Sequence, residues 1–195
     1  KVTMRKIVIH KPGGYDRLRL ETHPMPEPGP GEVRIATEGI GVNYADCIIR
    51  WGLYASAKQY VGWPITPGFE YSGTIDAIGP GAPEANARAK GPRPELSVGT
   101  KVFGASRFGA YASHVVVPVN QIFRLPRGFT MVQAAGVPAV FFTAAYALFH
   151  LAHAQKGDRV LVHSAAGGVG TALTQLCKLS ELFTVGVVGA SHKID

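Results

Sequence analysis

Short apolar runs separated by glycine- and proline-rich breaks dominate the first part of the chain, and this pattern predicts antiparallel strands. Lys6-Ile-Val-Ile-His10 is one run, Pro12-Gly-Gly14 supplies turn chemistry, and Leu18-Arg-Leu20 alternates. Four prolines and two glycines between Pro24 and Gly31 force an extended connection. Glu32 to Glu38 then alternates as a half-buried strand should, and Gly39-Ile-Gly41 is expected to end it. Asn43 to Arg50 suits a short helix closed by Gly52, and Gly62 to Gly68 reads as a proline-containing loop. Glu70 to Ile78 returns to strand character, residues 79–95 read as an exposed loop, and Lys101–Phe103 and Ala110–Val119 complete the β-rich part. No internal repeat is visible.

From Met131 the pattern changes. Pro138 suits the first turn of an Ala/Phe/Leu-rich helix running to about Ala154. Lys156-Gly157-Asp158 then turns into Val160–Val162, a β-branched-rich run that reads as a buried parallel strand. Ala165-Ala-Gly-Gly-Val-Gly170 follows, then helix-compatible residues from Thr171 to Leu179, then a second apolar run, Phe183 to Val188. Strand, small-residue turn and helix form the context in which a turn binds pyrophosphate. Gly167 lets backbone approach the phosphates, Gly170 lets the helix lie close to the strand, and the helix N-terminus offers N–H groups to negative charge. Ala165 stands where the usual pattern has its first glycine. A small-residue turn without a ligand is the alternative reading. The candidate cofactor-binding residues here are Ala165, Gly167, Gly168, Val169 and Gly170.

Composition narrows the class. At 195 residues, with 46% hydrophobic and 17% charged positions, the chain has enough apolar side chains for a core and is not a disordered protein. No apolar run reaches bilayer-spanning length, and no signal pattern opens the sequence. The two cysteines, Cys47 and Cys177, sit in unlike contexts, so a reducing cytosol is the expected setting. The net charge of +7 is spread over Arg17 and Arg19, Arg88 to Arg93, Arg124 and Arg127, and Lys178, without interleaved aromatics. That distribution favours a solvated surface with a phosphate-binding cleft over a nucleic-acid partner.

Taken in order, Pro28-Gly-Pro-Gly-Glu-Val33, Gly41-Val-Asn-Tyr-Ala-Asp46, Gly52-Leu-Tyr54, Pro67-Gly-Phe-Glu-Tyr-Ser-Gly73, Val98-Gly-Thr-Lys-Val102 and Ala165-Ala-Gly-Gly-Val-Gly170 resemble the medium-chain dehydrogenase/reductase superfamily. The resemblance is to its zinc-independent, zeta-crystallin-like quinone oxidoreductase branch, and it covers nearly the whole chain. It implies a β-rich GroES-like domain plus an α/β Rossmann domain, of which only the first strand-helix-strand unit lies in this sequence. Residues 1–130 would be the GroES-like catalytic domain, lacking its C-terminal return segment. Residues 131–195 would be a linking helix and the start of the NADP-binding domain. One such unit buries too little surface to stand alone, so the chain is expected to be a C-terminally truncated form of a longer protein.

The resemblance also implies where metal would sit in zinc-using relatives: at the positions of Asn43 and Phe69 and near Ala139. Asn and Phe are not zinc ligands, Glu70 cannot hold the ion alone, and the four cysteines of the structural zinc lobe are missing. No metal is expected. The stretch Val185 to Ser191 lacks the acid that hydrogen-bonds a ribose 2′-OH, and Lys193 follows. Ser191 and Lys193 are therefore candidate contacts to a 2′-phosphate, and NADP(H) is the expected cofactor; a solvated loop lysine is the alternative.

Asn43 and Tyr54 are the candidate catalytic residues, since the matching family positions line the nicotinamide and substrate cleft; Asn43 and Thr143 also match cofactor contacts. Asn43 would equally cap the helix after it, and Tyr54 would equally be half-buried packing. Trp51, Tyr60, Trp63 and Phe69 would suit an apolar cleft, and Cys47 reads as a small residue buried in its helix. The implied activity is NADPH-dependent reduction of quinones or α,β-unsaturated carbonyls by hydride transfer without zinc, in a cytoplasmic protein that is a homodimer at full length. A non-catalytic binding module and an RNA- or membrane-surface-associated relative are the rival readings.

Overall fold

The computed structural model describes residues 2–194. Contacts divide the chain into two compact units, Lys1–Pro138 and Ala139–Asp195.

In the first unit β1 (Thr3–Val8) and β2 (Arg19–Pro24) form an antiparallel pair in which Lys6 faces Glu21. Glu21 is shared by two imidazoles, with His10 Nε2 at 2.6 Å and His23 Nε2 at 2.9 Å. Next come β3 (Glu32–Ile40), the helices α1 (Tyr44–Arg50) and α2 (Ala55–Tyr60), β4 (Glu70–Ile78) and α3 (Ala82–Arg88). β5 (Lys101–Ala105), β6 (His114–Pro118) and β7 (Ile122–Arg124) complete a five-stranded antiparallel sheet of order β6-β3-β4-β5-β7. The alternation expected from the sequence has its counterpart in burial: Val33 and Ile35 of β3, Tyr71 and Ile75 of β4, Val102 and Ile122 are all fully buried. Tyr71 keeps its phenol satisfied by donating to the Gln121 carbonyl, and burial pushes its pKa up.

Three local expectations are corrected. Gly39 does not end β3, which runs on to Ile40 through a register shift between Thr37 and Gly39. The glycine is used for close approach, because a Cβ there would lie 2.7 Å from Ser72 Oγ and 2.9 Å from the Met131 carbonyl. The stretch 79–95 is not all loop: Gly81, at φ +66°, turns the chain into α3, Pro83 sits in its first turn and Ala82 is fully buried. Cys47 is half-buried rather than buried.

Residues Met131–Ala135 form α4, capped by Thr130, whose hydroxyl accepts from Gln133 N while the Gln133 side chain accepts from Thr130 N. This helix packs on β3 and β4, and its Met131 carbonyl accepts from Ser72 Oγ at 2.6 Å. The division between the compact units falls after Pro138, so α4 belongs to the first.

α5 (Pro138–Ala145) continues into a wider π turn, Tyr146–Leu151, so the helical stretch stops short of Ala154. His153 there takes a left-handed φ of +51°, which breaks the helix. β8 (Arg159–His163), α6 (Gly168–Leu179) and β9 (Phe183–Val187) follow as a parallel strand-helix-strand unit. Its small core is Leu148, Cys177 and Leu182, flanked by Val160, Leu173 and Leu176.

Candidate functional site

Two groups of candidate residues are assembled, one in each unit. In the first, Asn43 occupies the N-cap position of α1 with an extended backbone. Its backbone N–H donates to Asp46 Oδ2 at 2.9 Å, while its side-chain Nδ2 donates to Glu70 Oε1 at 2.7 Å. Glu70 is buried at the start of β4, and only glycine at position 41 leaves room for its carboxylate. Asp46 is also buried. Its Oδ1 accepts from Gly68 N at 2.9 Å and its Oδ2 from the Tyr111 hydroxyl at 3.1 Å. Burial raises the Asp46 pKa above the ordinary 3.8 despite these donors. The Tyr111 phenol is pushed up by burial first, then by the neighbouring Asp46 charge.

Tyr54 precedes α2 and is half-buried. Its ring centroid lies 5.7 Å from that of Phe69 and 6.2 Å from that of Phe108, with Phe69 and Phe108 at 5.6 Å from each other. This trio closes over Ile9, Ile49 and Ile65, with Trp63 packed alongside. Trp51 and Tyr60 stay exposed, under the guanidinium groups of Arg50 and Arg107 respectively.

In the second unit the glycine turn joins β8 to α6. Gly167 is the N-cap of α6, its N–H donates to the Ser164 carbonyl at 2.8 Å, and its own carbonyl accepts from Thr171 N. The N–H groups of Gly168, Val169 and Gly170 form the first helical turn, where no intrahelical acceptor exists. Gly170 is where the helix touches the strand end: a Cβ there would lie 2.2 Å from the Ser164 carbonyl oxygen and 2.7 Å from Ala165 Cα. At Gly168 a Cβ would meet only the Val140 side chain, at 3.1 Å. Ala165 N donates to the Val187 carbonyl at 3.0 Å, tying the turn to the end of β9.

Ser191 and Lys193 lie in a short 3-10 turn after β9, both exposed. Pairing of Leu161 with Val185 and of His163 with Val187 brings the two strands to an end together. The glycine turn and the Ser191–Lys193 turn thus leave from the same end of the parallel pair. Thr143, on α5, is exposed and donates its hydroxyl to the Ala139 carbonyl at 2.7 Å.

At the metal positions implied by the resemblance stand an amide held by Glu70 and a phenyl ring in an aromatic trio. Among the described residues no three His, Cys, Asp or Glu side chains gather as a metal site would require. Sequence reasoning missed Asp46 and Tyr111 as the frame around Asn43. The signal for Asp46 was its place three residues after a capping Asn, the spacing of a capping box.

Known proteins resemble this chain in sequence and fold. The alcohol dehydrogenase GroES-like domain family matches residues 29–127. The human synaptic vesicle membrane protein VAT-1 homolog is 37% identical over 191 residues, covering 96% of this chain and 45% of that protein. A mycobacterial quinone oxidoreductase structure superposes with a TM-score of 0.79 at 35% identity, covering 97% of this chain and 54% of that one. A mycobacterial protein complexed with NADPH does so with a TM-score of 0.80 at 35% identity, again over 97% and 54%. The chain thus spans about half the length of the relatives it matches. The matched domain takes up just over half of the chain, and with the solved quinone oxidoreductase it settles the lineage: this protein belongs to the medium-chain dehydrogenase/reductase superfamily, in its zinc-independent, quinone oxidoreductase-like branch.

Proposed function

We propose that the chain carries part of an NADP(H)-dependent oxidoreductase that reduces quinones or α,β-unsaturated carbonyls without zinc. The observation that carries the reading is the approach of α6 to the end of β8, so close that only glycine fits at position 170. Such an approach aims the first-turn N–H groups of Gly168, Val169 and Gly170 at whatever lies beyond the strand, which suits a pyrophosphate. Ser191 and Lys193 would hold the 2′-phosphate, supplying a hydroxyl donor and a cation where an acid would repel it. The NADPH complex of a related mycobacterial protein supports that choice.

NADP(H), when bound, supplies the hydride. The chain's own task is to hold the substrate and to stabilise the charge that develops on its oxygen. Asn43 is suited to this: Glu70 fixes one amide N–H, and the second remains as a donor. Tyr54 offers a phenol beside a flat aromatic wall that suits a quinone ring and excludes water.

NADPH and NADH binding by equilibrium dialysis, and their oxidation with a simple quinone, test the reading on this chain and on a longer protein containing it. NADPH should bind and be oxidised in preference to NADH, and Gly168→Asp should abolish nucleotide binding by repelling the phosphates. Unchanged NADPH affinity in a folded Gly168→Asp variant would sink the assignment.

A further inference from the structure

We infer that a second, separate site in the first unit binds a soluble small molecule carrying two or more clustered phosphate groups. It is a cleft of about 490 Å³ at the β5–β7 end of the sheet, walled by Lys101, Arg124, Arg127, Gly128 and Phe129. None of these residues belongs to the glycine turn or to the Asn43 network.

Three cationic residues line one cleft at this end of the sheet. β5 and β7 pair with Val102 opposite Arg124, and the chain is fastened just beyond by a hydrogen bond from Leu125 N to the Lys101 carbonyl at 3.3 Å. This register sends Lys101 and Arg124 to opposite faces of the sheet, and the two meet the same cleft only at the strand ends. Pro126 and Gly128, the latter at φ +82°, turn the chain so that Arg127 joins the same wall. All three cationic residues are exposed, and among the described residues none lies within ion-pair distance of a carboxylate. Glu95 is the one acid on the wall. Arg93 adds a fourth positive charge beside β7, but its guanidinium is committed to the Val119 and Ile122 carbonyls, each at 3.0 Å. It contributes field rather than a free donor.

Three cationic groups against one acid leave the cleft with excess positive charge, and a polyanion balances it while taking charge-assisted hydrogen bonds from two forked guanidinium groups. A lone carboxylate would leave most of the positive charge uncompensated; a pyrophosphate would not. The volume is that of a small-molecule site. Phe129, 43% exposed, offers a flat apolar wall for a ring attached to the phosphates, so a nucleoside di- or triphosphate fits the whole cleft.

Calorimetric titration of the chain with sodium pyrophosphate and with ATP, at low salt, tests this. With the glycine turn blocked by Gly168→Asp, both should still bind with one-to-one stoichiometry, and adding Arg124→Gln/Arg127→Gln to that variant should weaken both by at least about tenfold. A control variant, Lys58→Gln/Lys178→Gln, removes the same charge from exposed positions elsewhere and should bind as the unmodified chain does. Equal weakening in the control would mean that bulk positive charge is responsible and would overturn the site, as would failure of both probes to bind. Binding only to phosphatidylcholine vesicles carrying phosphatidylinositol bisphosphate, with no affinity for free pyrophosphate or ATP, would overturn the soluble ligand. Should the double variant fold poorly, amide resonances of Gly128 and Phe129 in the unmodified chain give the answer. They should shift on addition of ATP, and their staying fixed would refute the proposal.

Discussion

The close approach of α6 to β8 yields a sharp prediction for Gly170→Ala. The added methyl carbon would sit 2.2 Å from the Ser164 carbonyl oxygen, 2.7 Å from Ala165 Cα and 2.8 Å from Ala165 C. All three are backbone atoms, so no rotamer change removes the overlap. Restoring ordinary contact requires the helix to move by about 1 Å from the strand end. Overpacking of this kind costs roughly 1–3 kcal/mol. Alanine's better helix propensity returns up to about 1 kcal/mol, and because the obstacle is rigid the strain belongs at the upper end. The net loss expected is about 2–3 kcal/mol, localised in the second unit. Amide hydrogen exchange along Ala172–Cys177 reads it as a speed-up of roughly 30- to 150-fold. Gly168→Ala is the control, since its methyl meets only Val140 Cγ1, at 3.1 Å, and that side chain can yield. It should exchange at the original rate or more slowly. Equal protection in Gly170→Ala and the unmodified chain, or an equal loss in Gly168→Ala, would refute the close-approach argument.

Three further outcomes follow from the geometry. Lys193→Ala should weaken NADPH binding by about one to two decades at low salt and hardly touch NADH binding; equal effects on both would show that the lysine does not read the phosphate. Asp46→Ala leaves the Asn43 and Gly68 N–H groups and the Tyr111 hydroxyl without their acceptor and should cost about 3 kcal/mol or more in urea unfolding, whereas a loss below about 1 kcal/mol would mean that water replaces the carboxylate. In both variants at positions 46 and 21 the pH dependence has a definite sign. Asp46 has a raised pKa, so its contribution is greatest below 3.8 and is lost as pH rises through the folded value. Glu21 is lowered by its hydrogen bonds to His10 and His23, so its stabilisation is present above 4.5 and disappears as pH falls through the folded value. Glu21→Gln should flatten the acid limb of the stability curve, and an unchanged limb would remove Glu21 from it.

What could be read from the sequence was what is local. The alternation of Val33 and Ile35 declares a strand because the two side chains share one face, and the glycine turn declares itself because strand, turn and helix are contiguous. Residues 79–95 misled because Ala82–Arg88 lacks an apolar stripe; its helix is held by buried Ala82 and by a bond from Asn86 Nδ2 to the Pro94 carbonyl. α2 escaped notice for a similar reason, as Ala55–Tyr60 buries a single alanine. At the site, Asn43 was legible and its surroundings were not. The donors that meet Asp46 from Gly68 and Tyr111 are 22 and 65 residues away, and no local pattern reports such a meeting. Tyr54 illustrates the converse: a residue with an apparent role in the sequence also fills an aromatic cluster, and the two uses are compatible.

The same Asp46 hub bears on how the polypeptide is made. Its three donors leave the ribosome at different times: Asn43 is already out, Gly68 follows 22 residues after Asp46, and Tyr111 comes 65 residues after it. Until Tyr111 emerges, the carboxylate has only part of its escort, and drying that corner of the nascent domain would strand a charge. On that order, the surroundings of Asn43 would stay hydrated through synthesis of β4 and β5 and close once the segment leading into β6 is in place. The residue that frames the amide in the finished protein would then be, during translation, a latch that shuts late.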